Sequence, residues 1–191
     1  MTVAPVYLVL LHHPVYDKNG EIVATAVTNM DVHDLARIGK TYGLAGVYIA
    51  TPVRALRLLA EKIIEHWRSG FGAEYNETRR EALALVRTVV DLDAAILEVE
   101  RDAGEAPVLV ATSAREGEGR VSFAELRARL AAARSPHLLI LGTGWGLAKE
   151  ILGRSDLLLE PIRGAGDYNH LPVRAAAAIM LDRLLGEPRP A

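Results

Sequence analysis

The stretch Leu138-Leu139-Ile140-Leu141-Gly142-Thr143-Gly144-Trp145-Gly146 joins four consecutive aliphatic residues to three alternating glycines. A short, uninterrupted aliphatic run predicts a strand that is buried on both faces of a sheet. Glycines leave backbone N–H and C=O groups open to close approach. In α/β proteins, ligands bind at the carboxyl ends of parallel strands, which is where this glycine loop would lie. The stretch therefore predicts an α/β fold with a site for a nucleotide-like ligand.

Outward from this stretch, strand-like and helix-like segments alternate along the whole chain. Apolar runs predict further strands at 6–11, 46–52, 108–111 and 157–159. Apolar residues at helical spacing predict helices at 53–67, 78–87, 92–103, 123–133 and 172–185, whereas 68–76 is predicted to be a loop and 89–90 a short strand. This alternation predicts an α/β fold, a mostly parallel sheet flanked by helices. We expect a single domain over residues 1–191.

Composition excludes several classes of function. The chain has no cysteine, which excludes disulfides, thiolate metal sites and thiol catalysis. Its net charge of −2 provides no overall positive field for DNA or an anionic membrane. The longest clean apolar run, at 6–11, is far shorter than the roughly 20 residues of a membrane span. We expect a soluble, cytoplasmic protein whose nucleic-acid contacts are local.

Two other polar loops follow predicted strands in the same way as the glycine loop. They are Thr112–Arg115 and Glu160–Leu171. If their strands neighbour the strand at 138–141, all three loops converge on one pocket. A Rossmann dinucleotide site is the obvious rival, but its third glycine comes three residues after the second. The alternative for the glycine loop is a tight turn with a structural role, and for Asn169 a helix cap.

Three segments of the second half resemble the motifs of one superfamily. They are the residues around the glycine loop (139–147), Leu159-Glu160-Pro161-Ile162, and the stretch from Tyr168-Asn169-His170-Leu171-Pro172 to Ile179. Together they resemble the carboxyl-terminal motifs of the SPOUT, or α/β-knot, S-adenosylmethionine-dependent RNA methyltransferases. The chain is most similar to a short bacterial family of these enzymes, and the similarity extends over nearly its whole length.

The resemblance implies a carboxyl-terminal deep trefoil knot, an exception to the rule that chains do not knot. It implies S-adenosylmethionine as cofactor, bound among the three loops, and a homodimer. Carried over by position, the cofactor-binding residues are Thr112, Ser113, Ala114, Leu141, Gly142, Thr143, Gly144, Trp145, Gly146, Glu160, Pro161, Ile162, Tyr168, Asn169, His170, Leu171 and Val173. The last helix would form part of the dimer contact, through the apolar stripe Val173, Ala177, Met180, Leu181 and Leu184.

No residue matches with certainty the proton-abstracting group of better-known SPOUT enzymes. The candidate catalytic residues are Arg115, from the first loop, and His13 and Asn29, from the ends of the amino-terminal strands. Methyl transfer depends mainly on holding the nucleophile in line, so one general base suffices. The alternative for His13 is a strand-end histidine without a chemical role. We predict no metal site, because Asp31 and Asp34 are typical of a solvated helix start.

The favoured function is methylation of structured RNA, either tRNA or rRNA. Two alternatives stay open: a non-catalytic RNA- or nucleotide-binding module of the same fold, and an NAD-dependent oxidoreductase. Elsewhere in the chain, Arg79 and Arg80 follow Tyr75, a combination that suits phosphate contact and base stacking. The alternative is an ordinary charged helix surface, since Glu77 and Glu81 lie beside these arginines.

Overall fold

A computed structural model describes residues 4–187 of the chain. Its main sheet has seven strands in the order β5-β4-β1-β8-β6-β9-β7, and every pairing is parallel. These strands are β1 (Val6–Leu11), β4 (Gly46–Ala50), β5 (Val86–Val89), β6 (Val108–Ala111), β7 (Arg120–Val121), β8 (His137–Gly142) and β9 (Leu157–Leu159). A small antiparallel hairpin consists of β2 (Val15–Tyr16) and β3 (Ile22–Val23).

Helices cover both faces of the sheet. They are α1 (Asn29–Thr41), α2 (Arg54–Arg68), α3 (Phe71–Tyr75), α4 (Glu77–Leu83), α5 (Leu92–Ala103), α6 (Phe123–Ala132), α7 (Lys149–Arg154) and α8 (Val173–Leu185). Along β1, Leu8 and Leu10 pack with the core that includes α1, α6 and α8, while Val9 and Leu11 pack with the core that includes α5 and α7. This alternation follows from the two-residue period of a strand. The predicted mostly parallel sheet flanked by helices is confirmed.

Three boundaries differ from the sequence-based prediction. The predicted loop 68–76 contains α3, whose Gly72 backbone packs against Trp67. The predicted helix 78–87 ends at Leu83, and β5 begins at Val86 rather than Val89. Val86 pairs with Val47 on β4, so burial against the sheet edge overrides the local helical pattern.

The register of the sheet aligns the strand ends that matter for function. Leu11 of β1 pairs with Gly142 of β8, and Ala111 of β6 pairs with Ile140. The loops after β1, β6 and β8 therefore leave the sheet at one carboxyl edge. This is the arrangement that brings ligand-binding loops together in open α/β sheets.

The apolar stripe of α8 does not face outward. Ala177, Met180, Leu181 and Leu184 are buried in the chain's own core. The prediction that these four residues form a dimer contact is wrong, because α8 packs against α1 and α6 and uses them to cover the sheet. Val173, the fifth residue of the predicted stripe, is half-buried. Within residues 4–187, no helix is long and apolar enough to cross a membrane.

Candidate functional site

A cavity of about 570 Å³ opens at the carboxyl edge of the sheet. Three loops and the start of α8 enclose it. The lining residues are Thr112, Ser113, Ala114, Arg115, Leu141, Gly142, Thr143, Gly144, Trp145, Gly146, Leu147, Ile162, Asn169, His170, Leu171, Pro172, Val173, Ala176 and Met180. The volume lies within the usual range for small-molecule and cofactor sites.

The first loop follows β6 and is hydrogen-bonded to β8 and to the glycine loop after β8. The buried Thr112 hydroxyl donates a hydrogen bond to the Ile140 carbonyl on β8, at 3.0 Å. Ser113 Oγ accepts a hydrogen bond from the backbone N–H of Arg115, at 3.1 Å. The Arg115 guanidinium in turn donates to the Trp145 carbonyl of the glycine loop, at 3.3 Å. These bonds fix the loop so that its hydroxyls and its guanidinium border the cavity.

The glycine loop follows β8 and is clamped by the β2–β3 hairpin. The Trp145 N–H donates to the Tyr16 carbonyl and the Tyr16 N–H donates to the Gly146 carbonyl, both at 2.9 Å. Gly144 has a φ of +57°, and a Cβ there would lie 2.7 Å from the same Tyr16 carbonyl oxygen. Only glycine fits this backbone without strain. The glycine spacing therefore reflects a loop pressed against a neighbouring hairpin as well as an open ligand edge.

A chain of hydroxyls lies behind the glycine loop. Thr143 Oγ1 and Thr25 Oγ1 are 2.6 Å apart, and Thr25 Oγ1 lies 3.0 Å from His12 Nδ1. His12 is fully buried, and this burial lowers its pKa, although the nearby Asp31 carboxylate acts in the opposite direction. A neutral His12 therefore stabilises the base of the loop through hydrogen bonding. The sequence gives no sign that Thr25 belongs to the site, because only the folded hairpin brings it to Thr143.

The third loop, after β9, crosses over to the first. The Asn169 side-chain amide donates to the Ala114 carbonyl at 2.8 Å, which joins the two loops beside the cavity. The alternative role for Asn169, a cap for α8, is therefore wrong, because its side chain bonds to Ala114 and, within the described residues, no side chain caps this helix. Pro172 occupies the N-cap position of α8.

A partly buried ion pair joins α1 to α8 next to the cavity. The Arg174 guanidinium lies 3.2 Å from Asp31 Oδ1 and 3.0 Å from Asp34 Oδ2. The other Asp31 oxygen accepts hydrogen bonds from the backbone N–H and the hydroxyl of Thr28, which closes a capping box at the start of α1. The sequence predicted a solvated helix start for both aspartates, but Asp31 is buried and its charge is balanced by Arg174.

Comparison with known proteins assigns the family. Residues 5–186 match the sequence model of a family described as SAM-dependent RNA methyltransferase. The chain belongs to this family. It is 44% identical over 181 residues to a tRNA (guanine-N(1)-)-methyltransferase from Oleidesulfovibrio alaskensis, covering 95% of this chain and 42% of that protein. It is 41% identical over 184 residues to an uncharacterized protein from Aquifex aeolicus, covering 96% of this chain and 90% of the relative. The chain thus spans less than half of the named relative.

Solved structures show the same fold at low sequence identity. A SpoU methyltransferase, AviRb, from Streptomyces viridochromogenes in complex with AdoMet superposes with a TM-score of 0.62 at 16% identity, covering 97% of this chain and 58% of that one. An AdoMet-bound rRNA methyltransferase from Sinorhizobium meliloti gives a TM-score of 0.59 at 16% identity, covering 96% and 56%. The chain therefore has the fold of these methyltransferases, and the family match over residues 5–186 confirms the SAM-dependent RNA methyltransferase family that the sequence motifs indicated.

In this SAM-dependent RNA methyltransferase family member, most of the residues predicted to bind cofactor border one cavity. Three do not line it. The Glu160 carboxylate accepts a hydrogen bond from the Phe123 N–H at the start of α6, at 2.7 Å, Pro161 is buried beside it, and Tyr168 is 81% exposed. Of the three catalytic candidates, only Arg115 lines the cavity.

The other two catalytic candidates lie elsewhere. His13 is half-buried after β1, and Asn29 is the first residue of α1, where it lines a separate groove. Sequence reasoning missed Leu147, Ala176 and Met180, which also line the cavity. Their apolar side chains carry no signal that distinguishes a lining residue from a core residue.

Proposed function

We propose that this chain transfers a methyl group from S-adenosylmethionine to structured RNA, either tRNA or rRNA. The observation that carries the proposal is the cavity at the carboxyl edge of the sheet, where three loops are bonded to one another through Arg115–Trp145 and Asn169–Ala114. Such a preformed cavity suits a cofactor that must be held in one conformation.

The chemical character of the lining fits this cofactor. Apolar side chains, among them Leu141, Ile162 and Leu171, would take the adenine ring, while Thr112 and Asn169 provide polar groups for the ribose. The bound cofactor supplies a methyl group on a positively charged sulfur. The protein's own task is then to hold the acceptor atom in line with that methyl group and to exclude water.

We assign Arg115 to the substrate side of the reaction. Its guanidinium borders the cavity and is solvent-exposed. A guanidinium group orients a phosphate or a base edge better than it removes a proton. His13 and Asn29, which lie outside the cavity lining, remain predicted catalytic candidates.

We further propose that the chain forms the single knotted domain over 1–191 that the motifs predicted. The proposal is supported by contacts between the segment after β9 and the loop after β6, since Asn169 donates to the Ala114 carbonyl and Arg163 pairs with Glu116. We propose a homodimer through the part of α8 that the core leaves half-buried, including Ala175 and Ala178. As an enzyme of tRNA or rRNA it would act in the cytoplasm.

A non-catalytic RNA-binding module is the second candidate function. One observation favours it: this chain matches only 42% of the length of the named tRNA methyltransferase, so that protein has a large region outside the match. If the named activity resides in that region, the matched part would serve binding alone.

Two measurements separate these functions. In the first, calorimetry titrates S-adenosylmethionine into the protein, and we expect one site per chain. In the second, labelled S-adenosylmethionine is incubated with the protein and separate tRNA and rRNA pools, and we expect label in one pool. Arg115→Ala should lower transfer at least tenfold, while Arg134→Ala, an exposed arginine at the opposite end of the sheet, leaves transfer unchanged. Cofactor binding without transfer would favour the module, and absence of cofactor binding would contradict the proposed methyl transfer.

A further inference from the structure

A second concave surface lies away from the loop cavity, between helices on one face of the sheet. This groove has a volume of about 540 Å³. Helices α1, α2 and α4 form its walls, and its lining residues are Asn29, His33, Asp34, Arg37, Lys62, Ile63, His66, Trp67 and Arg79. The groove therefore combines an indole with five basic side chains, and nothing in the proposed methyl-transfer site uses them.

The charges in the groove are unbalanced. Asp34 is its only acidic lining residue, and that carboxylate already bonds to Arg174 of α8. Within residues 4–187, no carboxylate oxygen lies within 4.0 Å of the charged nitrogens of Arg37, Lys62 or Arg79. An unpaired cluster of cations concentrates anions locally, although the chain as a whole is slightly acidic.

Trp67 holds part of this cluster in place. The Arg79 guanidinium lies over the indole, 4.7 Å from the ring centroid. His33 and His66 meet the same indole edge-on, at centroid distances of 5.4 and 5.2 Å. A Cβ on Gly72 would lie 2.7 Å from the indole, so the α3 backbone packs directly on Trp67. Because these contacts fix the side chains before binding, less conformational entropy is lost when a ligand arrives.

An exposed pair of aromatic rings stands beside the groove on α3. Phe71 and Tyr75 are 74% and 77% exposed, and their rings stack with centroids 6.2 Å apart. Gly72, between them, is the residue that touches Trp67, so the pair adjoins the groove. Exposed aromatic faces beside a basic groove are the two elements of single-strand recognition, one for bases and one for phosphates.

The groove also connects to the proposed reaction site. Asp34, in the groove wall, bonds to Arg174, and the neighbours Val173 and Ala176 on α8 line the loop cavity. A strand held in the groove would thus lie next to the α1–α8 junction. We propose that the groove and the Phe71–Tyr75 pair form a docking surface for single-stranded RNA, with phosphates at the cations and bases on the aromatic rings. This proposal rests on RNA being the substrate.

Binding of a fluorescently labelled single-stranded RNA oligomer, measured by anisotropy without S-adenosylmethionine, tests the docking surface. Each phosphate contact to single-stranded RNA contributes about fivefold to affinity at ~0.1 M salt. The Lys62→Glu, Arg79→Glu double variant should therefore bind at least about 25-fold more weakly. The exposed aromatic pair offers a second variant that spares the core, and Phe71→Ala, Tyr75→Ala should weaken binding about tenfold.

Matched control variants carry substitutions of the same type at positions outside the groove. Arg134→Glu introduces the same charge just after α6, and Leu97→Ala removes an exposed apolar side chain from α5. Both should keep RNA affinity within about twofold of wild type. Calorimetry with S-adenosylmethionine, with affinity retained in every variant, shows that the variants are folded.

Three results would overturn the docking surface. The first is the absence of RNA binding by the wild-type chain, and the second is unchanged binding by both double variants. The third is equal competition by duplex DNA, because its paired bases cannot stack on the Phe71–Tyr75 pair. Because this assay uses no methyl donor, its failure leaves the transfer assay free to succeed, and the two proposals are judged separately.

Discussion

The loop cavity and the basic groove are built in opposite ways. Backbone forms much of the cavity, where glycine loops leave a parallel sheet and are fixed by hydrogen bonds such as Trp145 N–H to the Tyr16 carbonyl. The groove is made of long side chains from three helices, arranged around Trp67. A backbone-built cavity selects by shape and responds little to salt. A side-chain-built groove selects by charge, so its affinity should fall as salt rises.

The largest expected effect concerns the backbone of the cavity. Gly144→Val places a β-branched side chain at a φ of +57° and a Cβ 2.7 Å from the Tyr16 carbonyl oxygen. The loop must move, and we expect calorimetry to show S-adenosylmethionine affinity at least about 100-fold lower, equivalent to ~2.7 kcal/mol.

The matched control for Gly144 is Gly104→Val. Gly104 has a φ of +84° at the end of α5, and a Cβ there would meet no atom within 4 Å, so the substitution brings similar backbone strain away from the cavity. This variant should keep wild-type affinity for the cofactor. Equal losses in the two variants would attribute the effect to general destabilisation and contradict a backbone-built site.

The second effect concerns the junction that joins the two regions. Arg174→Met leaves the buried Asp31 carboxylate without its cation, although Thr28 still donates to it. Breaking a partly buried pair in this way should lower the free energy of unfolding by about 2 kcal/mol, measured by urea denaturation. Arg163→Met, which removes an exposed pair with Glu116, should change it by less than about 0.5 kcal/mol. Comparable losses would show that the junction has no special role.

The third effect uses salt to separate the two regions. Three groove cations, Arg37, Lys62 and Arg79, predict a slope of about −2 for log affinity against log salt with single-stranded RNA. Raising salt from ~50 to ~200 mM should weaken RNA binding about 20-fold. S-adenosylmethionine binding, measured in parallel, should change less than about twofold. If the affinities for RNA and for S-adenosylmethionine fell equally with salt, the proposed difference between the cavity and the groove would be contradicted.

The smallest effect concerns pH and stability. Burial lowers the pKa of His12 behind the glycine loop, and it is also the main cause of the lowered pKa of His33 in the groove. A lowered native pKa means that the unfolded chain binds protons more readily. Stability should therefore be full above the ordinary histidine pKa of 6.5 and decline as pH falls below it. Urea denaturation at pH ~7.5 and ~5.5 checks the sign, and higher stability at the lower pH would contradict it.

The cavity could be predicted from the sequence because its signals are local in the chain. Glycine spacing at 142–146 and the polar loop at 112–115 each follow a recognisable apolar strand, and parallel topology brings such strand ends together. The Tyr16 clamp and the Thr25–Thr143 contact were not predictable, since they join residues more than a hundred positions apart. Tertiary packing alone determines them.

The groove and the role of the α8 stripe, in contrast, could not be predicted from the sequence. Lys62, Trp67 and Arg79 come from helices whose relative placement no linear motif encodes, so the sequence indicated only the fragment Tyr75–Arg80. The stripe of α8 was recognised as apolar, but apolarity does not distinguish a core from an interface. Burial of Ala177 and Leu181 within the chain decided that question.

A crystal structure of the chain grown with S-adenosylmethionine tests the central division between cavity and groove most directly. We expect electron density for the cofactor among residues 112–115, 142–146 and 169–173, with the groove around Trp67 free of it. Cofactor density in the groove, or none among the three loops in crystals that diffract well, would contradict it.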